Sequence, residues 1–198
     1  MKKASALAVL DFEDIPTGIY AVDAILKKAP IAFVRAGTVT RGRYLVVFGG
    51  STASTLESLN EAVAVTGTAI LDQAFLPDIH PDLFDAVFGT RRKSAGGSLL
   101  ILETETASSI VRAVEAAMKG TPVELIEVRL SDTGLAGKGI ALLAGTLQDI
   151  QSAADLAGGR ARLSYRLIPA PHDVLERDIT AATRFEAAPL LELDGEAG

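Results

Sequence analysis

Two stretches of the chain are written almost alike. Residues 21–34 read AVDAILKKAPIAFV, and residues 113–126 read AVEAAMKGTPVELI. Aligning 9–34 with 101–126, at a shift of 92, pairs Leu10/Leu102, Glu13/Glu105, Ala21/Ala113, Val22/Val114, Ala24/Ala116, Lys27/Lys119 and Pro30/Pro122 as identities. Further on, GRYLVVFGG (42–50) answers GKGIALLAG (137–145) at a shift of 95, and Pro77/Pro169 and His80/His172 return to 92. The second copy thus gains three residues in one loop and loses three in the next helix. A tandem duplication constrains the fold before anything else does, because one unit must fold twice and its copies must coexist.

Each copy parses the same way. A leucine-rich or β-branched run, LAVLDF or LLILET, predicts a first strand. A helix follows, with Ile15, Ile19, Val22, Leu26 and Ala29 expected on its buried stripe in the first copy, and Ile110, Val114, Ala117 and Met118 in the second. Asp14 before Pro16, and Thr106, are the expected N-caps. Pro30 and Pro122 end these helices and launch IAFVRA and VELIEVRL. A third strand (44–48; 140–143), a second helix (55–66; 147–156), a fourth strand (ILDQAFL; RLSYRLI) and a short helix (82–87; 173–179) complete each copy. The class is α+β: a duplicated βαββαβ ferredoxin-like unit, mostly antiparallel, with helices on one face. The expected domains are 1–88 and 98–182, joined by a small, basic, glycine-rich linker at 89–97 and followed by a flexible tail at 183–198.

Composition narrows the chemistry. A net charge of −6 argues against nucleic acid as a partner, since phosphate binding needs a dense basic surface. There is no cysteine, which removes disulfides, thiol catalysis and cysteine-ligated clusters and suits a reducing cytoplasm. The opening MKKASALAVLDFED has the basic start of a signal peptide, but its apolar run is short and meets Asp11 and Glu13, so a first strand is the better reading. No apolar stretch approaches the ~18 residues of a membrane span.

The paired segments VDAILKKAP and VEAAMKGTP, the strands ending in Gly-Gly and Ala-Gly, and LPDIHPDL and IPAPHDVL resemble bacterial microcompartment shell proteins. The order of elements resembles their unpermuted tandem-domain class, of the propanediol-utilisation type, over about residues 5–180. The resemblance implies a structural protein and no enzyme: a homotrimer whose six domains mimic a hexameric tile, assembling with other shell hexamers and pentamers in the shell of a cytoplasmic microcompartment. It implies tile-edge roles for Lys27 and Lys119, with His80 and His172 at the same interface. It also implies a central pore, lined by Gly37, Thr38, Val39, Thr40 and Arg41 from one copy and Ser131, Asp132, Thr133, Gly134, Leu135 and Ala136 from the other. Some relatives carry a cluster-ligating cysteine in the first of these loops. Thr40 stands there instead, so no iron–sulfur cluster and no other cofactor is expected. Arg41, repeated around the axis, favours small anionic metabolites, with Asp132 as a potential offset.

Competing chemistry is weaker. GLAGKG lacks the Ser or Thr that a Walker loop needs after its lysine, and it opens a strand rather than a helix. His80 between Asp78 and Asp82 suggests a metal, but Ala170 replaces Asp78 in the second copy. Asp11, Glu13, Glu103 and Glu105 read as strand ends and solvated faces, and no Gly-x-Ser-x-Gly elbow occurs. The alternative function is a small-molecule-binding regulatory module, which duplicated ferredoxin-like domains also form.

Overall fold

A computed structural model describes residues 4–93 and 96–188. The first unit runs β1 (Ala6–Phe12), α1 (Ile15–Lys28), β2 (Phe33–Val39), β3 (Arg43–Gly50), α2 (Thr52–Thr66), β4 (Ile70–Leu76) and α3 (Pro81–Val87). The second repeats it as β5 (Ser98–Thr104), α4 (Ala107–Gly120), β6 (Glu124–Leu130), β7 (Gly139–Gly145), α5 (Leu147–Gly158), β8 (Leu163–Ile168) and α6 (Asp173–Ala181). Each unit is a four-stranded antiparallel sheet, ordered β2-β3-β1-β4 and β6-β7-β5-β8, with helices packed on it.

The caps are where the side chains predict them. The Asp14 carboxylate accepts from the Thr17 amide at 2.8 Å, and the Thr106 hydroxyl from the Ser109 amide at 3.1 Å. Each satisfies one of the orphan donors at a helix start, worth about 1 kcal/mol. Ser51 and Thr146 cap α2 and α5 in the same manner.

The first unit's own core lies between one sheet face and its two long helices: Ala8, Leu10, Phe12, Val46 and Phe48 against Ala21, Ile25, Leu59 and Ala62. This corrects the expected stripe on α1. Gly18, Ala21 and Ile25 are buried, whereas Ile19 and Leu26 are each 54% exposed. The helix carries apolar residues on two faces, and only the one with small residues fits against its own sheet. Gly18 shows how tight that fit is: a Cβ there would lie 2.5 Å from the Tyr44 ring. In the second copy the sizes are exchanged. Ile110 replaces Gly18, Gly139 replaces Tyr44, and a Cβ on Gly139 would lie 2.4 Å from Ile110. One space is filled from opposite sides in the two copies.

The other face of the first sheet is not left to solvent, because the second unit packs on it. Leu7, Val9, Val47, Ala74 and Leu76 pack into a core shared with Val111, Val114 and Met118 of α4. Every residue of β1 is buried as a result. Beside α4, α3 covers the same face near β6, where Phe84 and Phe88 stack edge-on against Phe33 with ring centroids 5.8 and 5.2 Å apart. The linker is held along this seam: the Arg92 amide donates to the Ile126 carbonyl at 2.9 Å, and Arg91 pairs with Glu127 at 2.6 Å. Of the residues read as a loose tail, Thr183 donates to Glu127 at 2.6 Å and Arg184 pairs with Asp132, while 189–198 lie outside the described residues.

Candidate functional site

The joint between the two units is built on β1, β4 and the N-terminal turn of α4. Asp11 is 2% exposed, which corrects its reading as a solvated acid. Its carboxylate accepts from the Ala107 and Ser108 amides at 3.2 and 2.8 Å and from the Ser108 hydroxyl at 2.6 Å. An acid at a helix N-terminus meets both free amides and the positive end of the helix dipole. Burial nevertheless pushes Asp11 above its ordinary value, outweighing the bonds from Ser108 and Ala107, and the neighbouring Asp72 adds to the rise.

Asp72 sits opposite Asp11 on β4 and takes the outer part of the same helix turn. It accepts from Thr106 and Ser109 and is gripped by Arg112, with N–O distances of 2.8 and 3.0 Å. Burial alone would raise Asp72, but the bonds from Arg112, Ser109 and Thr106 outweigh it and hold the group below the ordinary carboxylate value. Sequence reasoning missed this network. Its one visible signal was an acid placed inside the apolar run LAVLDF.

The shift of 92 tells what stands at the same places in the other copy. Val111, Arg112, Glu115 and Met118 of α4 become Ile19, Tyr20, Asp23 and Leu26 of α1. Val111 and Met118 are 0% and 7% exposed, whereas Ile19, Tyr20 and Leu26 are each more than half exposed. On the receiving side, Val9, Asp11, Asp72 and Ala74 become Ile101, Glu103, Ser164 and Arg166. Glu103 pairs with Lys138 at 2.6 Å, and Ser164 and Arg166 are exposed. One chain therefore carries one completed joint, and the positions equivalent to its two halves are not joined within the chain.

The two β2–β3-type loops meet. The Gly137 amide donates to the Thr40 hydroxyl at 2.9 Å, and Arg43 reaches the Glu105 carbonyl at 3.4 Å. Among the described residues, the only non-glycines with positive φ are Arg41 (69°), Ser131 (50°) and Ala136 (49°), and all three lie in these loops. Such backbone costs about 1 kcal/mol or more per residue and is kept only where surroundings enforce it. Ser131 is enforced from within, donating its hydroxyl to the Gly137 carbonyl at 2.8 Å and its amide to that of Lys138 at 2.9 Å. Asp132 does not offset Arg41. Its carboxylate is taken by Arg129, at 2.6 and 3.0 Å, and by Arg184, and these pairs outweigh burial to hold its pKa low. Leu135 and Lys138 close the loop by turn hydrogen bonds around Thr133, Gly134 and Ala136.

The repeated lysines and histidines have parallel local roles. Lys27 pairs with Asp23 at 2.6 Å on an open surface. Lys119 pairs with Glu115 at 2.7 Å and also reaches the Asp78 carbonyl across the joint. His80 and His172 cap α3 and α6, their Nδ1 atoms accepting from the Asp82 and Val174 amides at 3.2 Å. Glu115 further accepts from the His80 amide at 3.0 Å. No group of three or more His, Cys, Asp or Glu suited to a metal occurs among the described residues.

Comparison with known proteins matches the family model "BMC domain" twice, over residues 6–79 and 98–171. The chain belongs to the BMC-domain family of microcompartment shell proteins. This family is structural rather than catalytic. The chain is 27% identical over 181 residues to the bacterial microcompartment shell protein PduT of Citrobacter freundii, covering 89% of this chain and 98% of that one. A crystal structure of a microcompartment protein from Desulfitobacterium hafniense superposes with a TM-score of 0.75 at 28% identity, covering 88% of this chain and 99% of the other. A fused permuted hexameric shell protein of the RMM microcompartment shares the fold at a TM-score of 0.57 and 21% identity, with 80% and 82% coverage. No helix among the described residues of this BMC tandem is long and apolar enough to cross a membrane.

Proposed function

We propose that this shell protein closes head to tail with two further copies, giving a pseudohexameric tile of six domains around a central passage. The observation that carries the reading is α1, which exposes Ile19 and Leu26 where α4 buries Val111 and Met118, and exposes Tyr20 where Arg112 grips Asp72. The proposed seat for α1 is the outer face of β5 and β8 on the next copy, at Ile101, Ser164 and Arg166. A heterologous joint repeated with closure uses both of these unlike surfaces.

In this arrangement the tile edge carries Lys27 and Lys119, with His80 and His172 capping the short helices beside them. Other shell proteins are the partners, and the shell of a microcompartment is the location. The passage is lined by the loops at 37–41 and 131–136, with Arg41 as the charge repeated around it. Because Asp132 is spent on Arg129 and Arg184, Arg41 stands uncompensated by it, and the passage favours small anions. Two variants test this in shells assembled with partner hexamers. Lys27→Asp with Lys119→Asp should leave the trimer intact and lower its incorporation. Arg41→Glu should lower anion flux relative to the parent, and equal flux would remove the charge reading.

A further inference from the structure

A cavity of about 970 Å³ lies between the two domains, bounded on one side by β2 and β3 and on the other by β6 and the segment after α6. Its volume falls in the range of small-molecule sites. Four arginines line it, Arg35, Arg91, Arg129 and Arg184, against two acids, Glu127 and Asp132. Both acids are already committed: Glu127 to Arg91 and the Thr183 hydroxyl, Asp132 to Arg129 and Arg184. The lining thus has two positive charges in excess. Arg35 makes no hydrogen bond or ion pair among the described residues, and it stands opposite Val47 in the β2–β3 register. Residues opposed in an antiparallel pair share a face, so its guanidinium adjoins an apolar floor of Val47, Leu45 and Val87.

We infer that this cavity binds a small organic anion with a short hydrocarbon body. The carboxylate lies against Arg35, and the hydrocarbon covers Val47, Leu45 and Val87. An unpaired guanidinium beside apolar surface is the combination that distinguishes such an anion from both a neutral analogue and a bare inorganic ion. The cavity is lined by residues of one chain, and its rim at 37–40 and 131–133 is shared with the loops of the proposed passage. The second joint would not reproduce it, because at the shift of 92 Arg35 becomes Glu127.

Calorimetric titration of the full-length assembled protein tests this with sodium butyrate, butyramide and inorganic phosphate as probes. Butyrate should bind saturably, and butyramide and phosphate should bind at least tenfold more weakly. Arg35→Glu should weaken butyrate at least tenfold, and Arg35→Gln should fall between. Unchanged thermal unfolding of both variants would show that the loss is local, as expected for an exposed side chain without partners. No butyrate binding, equal binding of butyramide, phosphate binding in place of butyrate, or an unaffected Arg35→Glu variant would each overturn the inference.

Discussion

Helices α1 and α4 descend from one sequence and have opposite surroundings. Helix α4 is buried on two sides, by its own sheet and by the first, and Val111 and Ala117 are wholly enclosed. Helix α1 packs only within its own unit, on its sheet and on α2, and leaves Ile19, Tyr20 and Leu26 in water. The chemistry of the joints diverges with the exposure. Where Asp11 meets two amides and a hydroxyl of α4, the corresponding Glu103 would meet Ile15 and Pro16, and proline has no amide hydrogen to give. The salt bridge Arg112–Asp72 becomes Tyr20 and Ser164. The in-chain joint is polar-locked at its end, whereas the free face of α1 offers mainly apolar contact through Ile19, Tyr20 and Leu26. A joint made once during folding tolerates buried charge; one made by collision is better served by surfaces that cost little to desolvate.

The contrast breaks most visibly by putting an acid on each helix. Val111→Asp buries an uncompensated charge and should cost about 4 kcal/mol in urea unfolding. Ile19→Asp, measured on dissociated chains, should cost less than about 1 kcal/mol. Equal losses would mean that α1 is buried within the single chain after all. Next in size are the acids themselves. Asp11→Ala strands the buried Ala107 and Ser108 amides and should cost about 3 kcal/mol, whereas Glu103→Ala, whose partner Lys138 is solvated, should cost far less.

A third pair sharpens the account of packing. Gly18→Ile should lose about 2 kcal/mol by colliding with Tyr44, and Tyr44→Gly should relieve part of that loss in the double variant. A double-mutant cycle with no coupling between the two would show that the exchanged sizes are unrelated.

The smallest effect is on pH dependence, where Asp11 and Asp72 have opposite signs. Asp72 is held below 3.8, so the stability it adds is present above that value and is lost as pH falls through its lower folded pKa. Asp11 is held above 3.8, so the folded state takes up its proton first and its contribution is lost as pH rises through that window. Replacing Asp72 with Asn should therefore flatten the acid limb of the stability profile, whereas Asp11→Asn should steepen it. The same slope change in both variants would contradict the assignment.

Much of this fold was legible because its signals are local. Asp14, Thr106, Pro30 and Pro122 set helix ends through their own backbone chemistry, and the shift of 92 doubled every such signal. What periodicity alone did not reveal was which apolar face of α1 meets its own sheet. Ile19 and Leu26 are as hydrophobic as Ala21 and Ile25, and only the clearance beneath Tyr44 selects the face with Gly18. Asp11 was misread for a related reason: its partners lie 96 and 97 residues away, and no local pattern marks an acid as capping a distant helix. Asp132 was read with Arg41 because both lie in loops, whereas Arg129, three residues back on the same strand and turn, is the nearer cation.

The claim that α1 does between chains what α4 does within one is tested most directly by mass in solution. The parent chain should run at three times its 20.6 kDa mass, and Ile19→Asp with Leu26→Asp should run as a folded monomer. A parent that stays monomeric or dimeric, or a double variant that remains trimeric, would contradict it.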